Sequence, residues 1–197
     1  MTKTNASNNR IYWKTYLVRI VLTALCIGML CFIFGNSLKA GEQSAEQSSG
    51  VVDMVQKAVG IFAPNSWIAT ATGEAYDRLH GIVRTIAHFC EFALLGALFI
   101  WCYRSYTSEK AFFFVPVCLS ILVPIVDEFL QTLTPGRAAE MKDVLVDTAG
   151  GAAGCVFALL TLWIGFAIYK SKRKKCIESS TSDGQVGAAG NKEESKA

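Results

Sequence analysis

The sequence is short of charge. Only 18% of its 197 residues are charged, whereas 52% are hydrophobic and the mean hydropathy is +0.34. A soluble domain carries about 25% charged residues, so this shortage indicates that lipid forms part of the solvent around the chain. The same composition excludes a disordered chain over most of its length. Because no cysteine lies in a predicted external loop, it also excludes a disulfide scaffold.

Four apolar stretches are long enough to cross a bilayer. A helix rises about 1.5 Å per residue and a bilayer core is about 30 Å thick, so about 20 residues suffice. The predicted spans are residues 20–38, 85–103, 111–130 and 148–169. The sequence therefore predicts an all-α fold, an integral membrane four-helix bundle.

The basic residues predict the orientation of these spans. Of the 19 Lys and Arg residues, most lie before the first span, between the second and third, or after the fourth. Cytoplasmic segments carry an excess of Lys and Arg, so both termini are predicted to be cytoplasmic. The net charge of +3 then reflects topology, and no nucleic-acid partner is expected.

The spans divide the chain into three regions. Residues 1–19 form a cytoplasmic N-terminus and residues 20–169 a membrane domain. Residues 170–197 form a basic cytoplasmic tail, which lacks a hydrophobic period and is expected to be disordered. In the first external loop, apolar residues at helical spacing from Val51 to Phe62 predict a short amphipathic helix. This helix either lies on the outer membrane surface or packs over the mouth of the bundle.

Polar residues cluster where the spans approach the outer face. An ionisable group inside a membrane is costly and is retained only with a partner or a function. The candidate functional cluster consists of Asn36, Ser37, Arg84, His88, Glu91, Asp127, Glu128, Gln131, Arg137, Asp143 and Asp147. Its two arginines cannot neutralise its five carboxylates. The imbalance favours a protonated carboxyl, a bound cation or a cationic ligand.

Two interpretations of this cluster stay open. A network of Arg, Asp and Gln can simply stabilise a bundle, and aspartates at the start of a helix complement its dipole. A functional pocket accounts better for the excess of carboxylates beside one histidine. No metal site and no cofactor are predicted, because the cluster has no second histidine. Gly150 and Gly154 have a small-xxx-small spacing, which predicts close helix packing.

Four motifs follow one another along the chain. They are Phe34-x-Asn36-Ser37, Arg84-x-x-x-His88-Phe89-x-Glu91-Phe92-x-x-x-Gly96, Asp127-Glu128-x-x-Gln131-x-x-x-Pro135-Gly136-Arg137 and Asp143-x-x-x-Asp147-Thr148-x-Gly150-x-x-x-Gly154. Their order and membrane position resemble the VanZ-like family of bacterial membrane proteins, from Tyr16 to Tyr169. Two positions depart from the family pattern: Phe92 stands where tyrosine is common, and Thr85 where a basic residue often follows the arginine.

The resemblance implies a location in the bacterial cell membrane. For the members that gave the family its name, it also implies resistance to glycopeptide antibiotics, teicoplanin in particular. The first functional hypothesis is therefore a non-enzymatic protein of cell-envelope homeostasis or glycopeptide resistance. Its outer pocket would bind a lipid-linked cell-wall precursor or a glycopeptide, with membrane lipid as its general partner.

Two other functions belong to different classes. One is a membrane-embedded enzyme that acts on an outer-leaflet lipid or cell-wall precursor, with His88 as base and Glu91 or Asp127 as its partner. In that hypothesis Arg137 holds an anionic group such as a phosphate. The other is an ion or proton pathway, which is disfavoured because no charged residue continues it through the inner halves of the spans.

Overall fold

The computed structural model describes residues 3–39, 41–109, 111–135 and 140–193. All the regular elements in these ranges are helices, which confirms the predicted all-α class. In chain order they are α1 (Lys3–Ser37), α2 (Gly41–Phe62), α3 (Glu74–Tyr106), α4 (Phe114–Thr132) and α5 (Met141–Glu193). Four segments are long and apolar enough to cross a membrane: Tyr12–Ser37, Glu74–Tyr106, Phe114–Thr132 and Met141–Lys174.

The helix boundaries differ from the predicted spans. Helix α3 begins at Glu74 and α5 at Met141, both earlier than the apolar stretches they contain. Hydropathy marks only the part of a helix that suits lipid, whereas the helix itself continues until a capping or breaking residue ends it. Helix α4 begins later than predicted, at Phe114, which places Pro116 in its first turn. Proline is tolerated there because it lacks a backbone N–H, and the N–H groups of the first turn have no acceptor within the helix.

The C-terminal segment differs most from the expectation. Residues 170–193, predicted to be disordered, are the continuation of α5. The sequence contains no proline after Pro135, so no residue in this stretch removes a helical hydrogen-bond donor. Residues 194–197 lie outside the described residues.

The chain forms two compact units, Met1–Ala158 and Leu159–Ala197. The first unit contains a core in which α1, α3 and α4 pack through Ile33, Phe92 and Val123, among others. The second unit contains the remainder of α5, whose apolar side chains, such as Trp163 and Phe166, are exposed. Exposed apolar side chains of this number are typical of a surface that contacts lipid.

Helix α2 occupies the long connection between α1 and α3. It begins at Gly41 rather than near Val51, because the preceding polar stretch is rich in the good helix formers Glu, Gln and Ala. Val52 is fully buried and packs with Ala71 and Leu79, so α2 packs against the protein. Its opposite side leaves Ile61 and other apolar residues exposed, and that side can contact lipid.

Helices α3 and α5 make a backbone-to-backbone contact. A Cβ atom added at Gly150 would overlap the carbonyl oxygen of Phe89, and one added at Gly154 would overlap that of Ala93. On the facing side of α3, a Cβ added at Gly96 would overlap a carbonyl oxygen of α5. Only glycine permits this approach, and such small-residue contacts drive helix association where both partners already face lipid.

Gly154→Ala is expected to destabilise the protein, because the added methyl group forces α3 and α5 apart. Overpacking of this kind costs about 1–3 kcal/mol. The measurement is the midpoint of thermal unfolding of the purified protein in detergent. Gly28→Ala is the matched control, since nothing lies within 4 Å of its added Cβ and alanine favours a helix by up to about 1 kcal/mol. Equal midpoints in the two variants would contradict the close contact.

Candidate functional site

One end of the first unit concentrates buried polar side chains. At this end, which we call the polar end, the last residues of α1 and α4 and the first turns of α5 lie together with the part of α3 around His88. Its buried polar and acidic residues are Ser37, Asp127, Glu128, Gln131, Thr134 and Asp147. Acidic side chains are almost never fully buried unless they are paired. The chemistry of the polar end therefore depends on the partners of each acidic residue.

Asp127 is the centre of a hydrogen-bond network and is fully buried. Ser37 Oγ donates to its Oδ1 over 2.5 Å, and Gln131 Nε2 donates to its Oδ2 over 3.1 Å. Thr134 Oγ1 also donates to the backbone carbonyl of Ser37, over 3.3 Å. These bonds connect α4 to the end of α1 and offset part of the cost of burying the carboxylate.

His88 and Asp147 form the other half of the cluster. His88 Nδ1 lies 3.6 Å from Asp147 Oδ2, which is an ion-pair distance but too long for a hydrogen bond. The side chain of Asp147 is 2% exposed and that of His88 22%. Within the described part of the chain, His88 Nδ1 and Asp147 Oδ1 have no hydrogen-bond partner. The network around Asp127 is therefore satisfied, whereas the pair beside it is not.

The Asp127 network and the His88–Asp147 pair lie next to each other. His88, Asp127 and Asp147 each present one ligand atom, and these atoms lie within 4.8 Å of one another. All three residues belong to the predicted candidate cluster, but the sequence does not single them out as a group, because they come from α3, α4 and α5 and form no local motif. One signal pointed towards it: Asp147 precedes Gly150 and Gly154 on the same face of α5, and that face lies against α3.

Several other predicted residues line cavities around this group. A cavity of about 30 Å³ is lined by Arg84, Thr85, His88, Asp143, Val146 and Asp147. A second, of about 200 Å³, is lined by Asn36, Gln47, Ser48, Val51, Arg84, Ala87, His88 and Glu91. Asn36 also accepts a hydrogen bond from Lys39 Nζ over 2.8 Å. Arg84 and His88 therefore border both cavities.

A third cavity, of about 770 Å³, has a mixed lining. Its residues are Arg78, Gly81, Ile82, Arg84, Thr85, Ile86, Gln131, Glu140, Lys142 and Asp143. Arg78 and Lys142 are not among the predicted site residues, because both lie outside the predicted apolar spans and belong to no motif. Arg84 lines this cavity as well as the two smaller ones.

Glu128 is buried at the polar end, but it is not one of the three residues that offer ligand atoms. Glu128 accepts a hydrogen bond from the backbone N–H of Glu140 over 2.5 Å, which ties α4 to the residue before α5. This contact gives Glu128 a structural role in the connection between the two helices. Arg137 lies outside the described residues.

These features define a class of protein: a multi-pass helical membrane protein with a buried acidic and histidine cluster at one end of its bundle. The chain belongs to the VanZ/LLP1 family, whose family model matches residues 22–172. The match confirms the resemblance seen in the four motifs, all of which lie inside it. No curated protein and no solved structure matches the chain significantly.

Proposed function

We propose that the protein acts in the bacterial cell envelope by binding the anionic head group of a lipid-linked cell-wall precursor at its polar end. The observation that carries this proposal is the cavity of about 770 Å³. Three cationic side chains, Arg78, Arg84 and Lys142, exceed the two carboxylates in its lining. Guanidinium groups bind phosphate oxygens through paired hydrogen bonds, and lysine adds a point charge.

The apolar part of the same lining suits a lipid rather than a soluble anion. Ile82 and Ile86 line the cavity one turn apart on α3, next to Arg78 and Arg84, and both isoleucines are exposed. Residues three and four apart share a helix face. The cavity therefore combines cationic side chains with apolar surface on α3, which matches a charged head group joined to a hydrocarbon chain.

Membership of the VanZ/LLP1 family supports a role in the cell envelope. The resemblance to VanZ-like proteins further supports resistance to teicoplanin as the cellular outcome. A protein that holds the precursor at the membrane surface changes which precursor molecules the antibiotic reaches. Direct binding of the glycopeptide is the competing explanation, and the binding experiment below separates the two.

The proposal requires the polar end to face the extracytoplasmic side. The distribution of Lys and Arg supports this orientation, with both termini in the cytoplasm. Asn65, between α2 and α3, and Ser108, between α3 and α4, are exposed residues in the two connections that the orientation places on opposite sides.

The orientation predicts opposite labelling of two introduced cysteines. In intact cells, a membrane-impermeant maleimide is expected to label Asn65→Cys, because this residue faces the outside. Ser108→Cys is expected to react only after the cells are lysed. The wild-type protein is the control, because its labelling reports the background from the natural cysteines. The reverse pattern would place the polar end in the cytoplasm and remove the proposed access to cell-wall precursors.

Arg84→Gln is expected to weaken precursor binding about ten- to hundredfold, because a hydrogen bond to a charged group contributes about 1.5–3 kcal/mol. The measurement is the affinity of the protein in nanodiscs for a polyprenyl pyrophosphate-linked precursor. The teicoplanin susceptibility of a bacterium that expresses each variant at equal membrane level is measured in parallel, and Arg84→Gln is expected to lose any protection.

Arg104→Gln is the matched control, because Arg104 lies near the other end of α3 and donates to the carbonyl of Thr107 outside the three cavities. Equal precursor affinity in the two variants would contradict the proposed site. If teicoplanin itself binds in the nanodisc assay, and does so only with Arg84 present, the glycopeptide replaces the precursor as the ligand.

The His88–Asp147 contact supports a second candidate function, that of a membrane-embedded enzyme. Glu91 or Asp127 is the partner of His88 predicted from the sequence, but the carboxylate that lies 3.6 Å from its Nδ1 is that of Asp147. A histidine next to a carboxylate can act as a general base on a lipid or precursor held in the adjoining cavities.

Mass spectrometry of lipids and cell-wall precursors tests this second function. Cells that express the wild-type protein are expected to contain a product that disappears with His88→Ala. His80→Ala is the matched control, because His80 lies on the same helix but is half-buried and contacts the carbonyl of Ala45 in α2. Identical profiles for the wild type and the two variants would contradict the enzyme function and favour a protein that binds its ligand without catalysis.

A further inference from the structure

Three potential metal ligands from three helices meet at the polar end. His88 of α3, Asp127 of α4 and Asp147 of α5 offer ligand atoms within 4.8 Å of one another. Imidazole nitrogen and carboxylate oxygen bind zinc at about 2.0–2.2 Å, so two ligands of one ion lie at most about 4.4 Å apart. At the tetrahedral angle that zinc prefers, two such ligands lie about 3.4 Å apart, so side-chain shifts of about 1 Å bring all three onto one ion.

Unpartnered atoms point independently to a ligand at this place. Asp147 is 2% exposed, and its Oδ1 has no hydrogen-bond partner among the described residues. The same is true of His88 Nδ1. An unsatisfied buried polar group costs about 1–3 kcal/mol, and a charged one costs more. Both residues belong to the ligand set, so a single cation would satisfy both.

The third ligand is held in place by its neighbours. Ser37 and Gln131 each donate to one oxygen of Asp127, and each carboxylate oxygen keeps a further lone pair for a metal. Hydrogen bonds of this kind orient ligating carboxylates in metalloproteins. Beside His88 and Asp147 lies the cavity of about 30 Å³, which is large enough for a water molecule that completes the coordination.

The charges of the group fit a divalent ion. Two ionised carboxylates and a neutral imidazole carry a charge of −2. In the part of the chain that the structure describes, the ion pairs of the polar end do not include one from Arg84 to Asp127 or Asp147. A doubly charged cation neutralises the two carboxylates without help from a basic side chain.

We infer that His88, Asp127 and Asp147 bind one divalent transition-metal ion, such as Zn²⁺ or Mn²⁺. The nitrogen ligand favours these ions over Ca²⁺ and Mg²⁺, which prefer oxygen ligands alone. The site belongs to the folded bundle and does not depend on the lipid ligand proposed above. Metal binding can therefore succeed or fail independently of precursor binding.

Metal content of the purified full-length protein tests the inference directly. The protein in detergent is stripped with a chelator, incubated with Zn²⁺ or Mn²⁺, freed of excess metal and measured by mass spectrometry of the elements. The wild type is expected to retain about one ion per chain, as a site with three protein ligands does. Asp147→Asn, which keeps the size of the side chain but removes its charge, is expected to bind at least about tenfold more weakly.

Asp143→Asn is the matched control. Asp143 lies one turn before Asp147 on α5 and borders the same small cavity, but it is not one of the three ligands. It is expected to bind metal as the wild type does. Equal affinity in Asp147→Asn and Asp143→Asn, or a wild type that retains far less than one ion per chain, would overturn the inference.

A spectroscopic measurement on the wild type makes the test independent of variant folding. Co²⁺ bound through a histidine and two carboxylates at low coordination number is expected to show visible absorption bands that free Co²⁺ lacks, and added Zn²⁺ is expected to remove them. His88→Gln is expected to change these bands, whereas His80→Gln keeps them. A Co²⁺ spectrum identical to that of the free ion, or unaffected by His88→Gln, would also overturn the inference.

Discussion

The backbone contact between α3 and α5 is the constraint on which the polar end depends. Gly150 and Gly154 lie directly against carbonyl groups of α3, so the two helix axes approach more closely than larger residues allow. Asp147 lies one turn nearer to the start of α5 on the same face, and it is therefore held beside His88. Any separation of the two helices would also separate this pair, so the glycines and the cluster form one structural unit.

A second constraint follows from the exposed apolar surface. Apolar side chains face an apolar environment whether the helices are separate in lipid or packed together, so their burial adds little to helix association. Close packing and polar contacts must therefore stabilise the associated helices. The hydrogen bonds from Ser37 and Gln131 to Asp127 connect α1 and α4 in this way. Asp127 thus serves stability as well as any function of the cluster. Arg84 differs from Asp127, because it lines the cavities without joining that hydrogen-bond network. We therefore expect a substitution of Arg84 to alter function while the bundle stays folded.

Much of the fold could be predicted from local patterns. Four apolar stretches gave the spans, and the ordered motifs gave the family, which the match over residues 22–172 confirms. The helix ends were harder, because hydropathy does not report where a helix that leaves the membrane stops: α2 begins at Gly41 and α5 continues to Glu193. Arg78 and Lys142 could not be predicted from hydropathy either, because both lie outside the apolar spans rather than within them.

The sequence by itself determined the membrane setting, the family and the set of polar residues, since each of these depends on composition and spacing along one segment. Only the tertiary structure decided which members of that set meet. Three residues from three helices, His88, Asp127 and Asp147, converge, whereas Glu128 turns to the backbone of Glu140. The physical reason is that convergence depends on how each helix is rotated about its axis and how closely it approaches its neighbours. Those quantities are set by contacts such as the one between Gly154 and Ala93, which join residues distant in the chain.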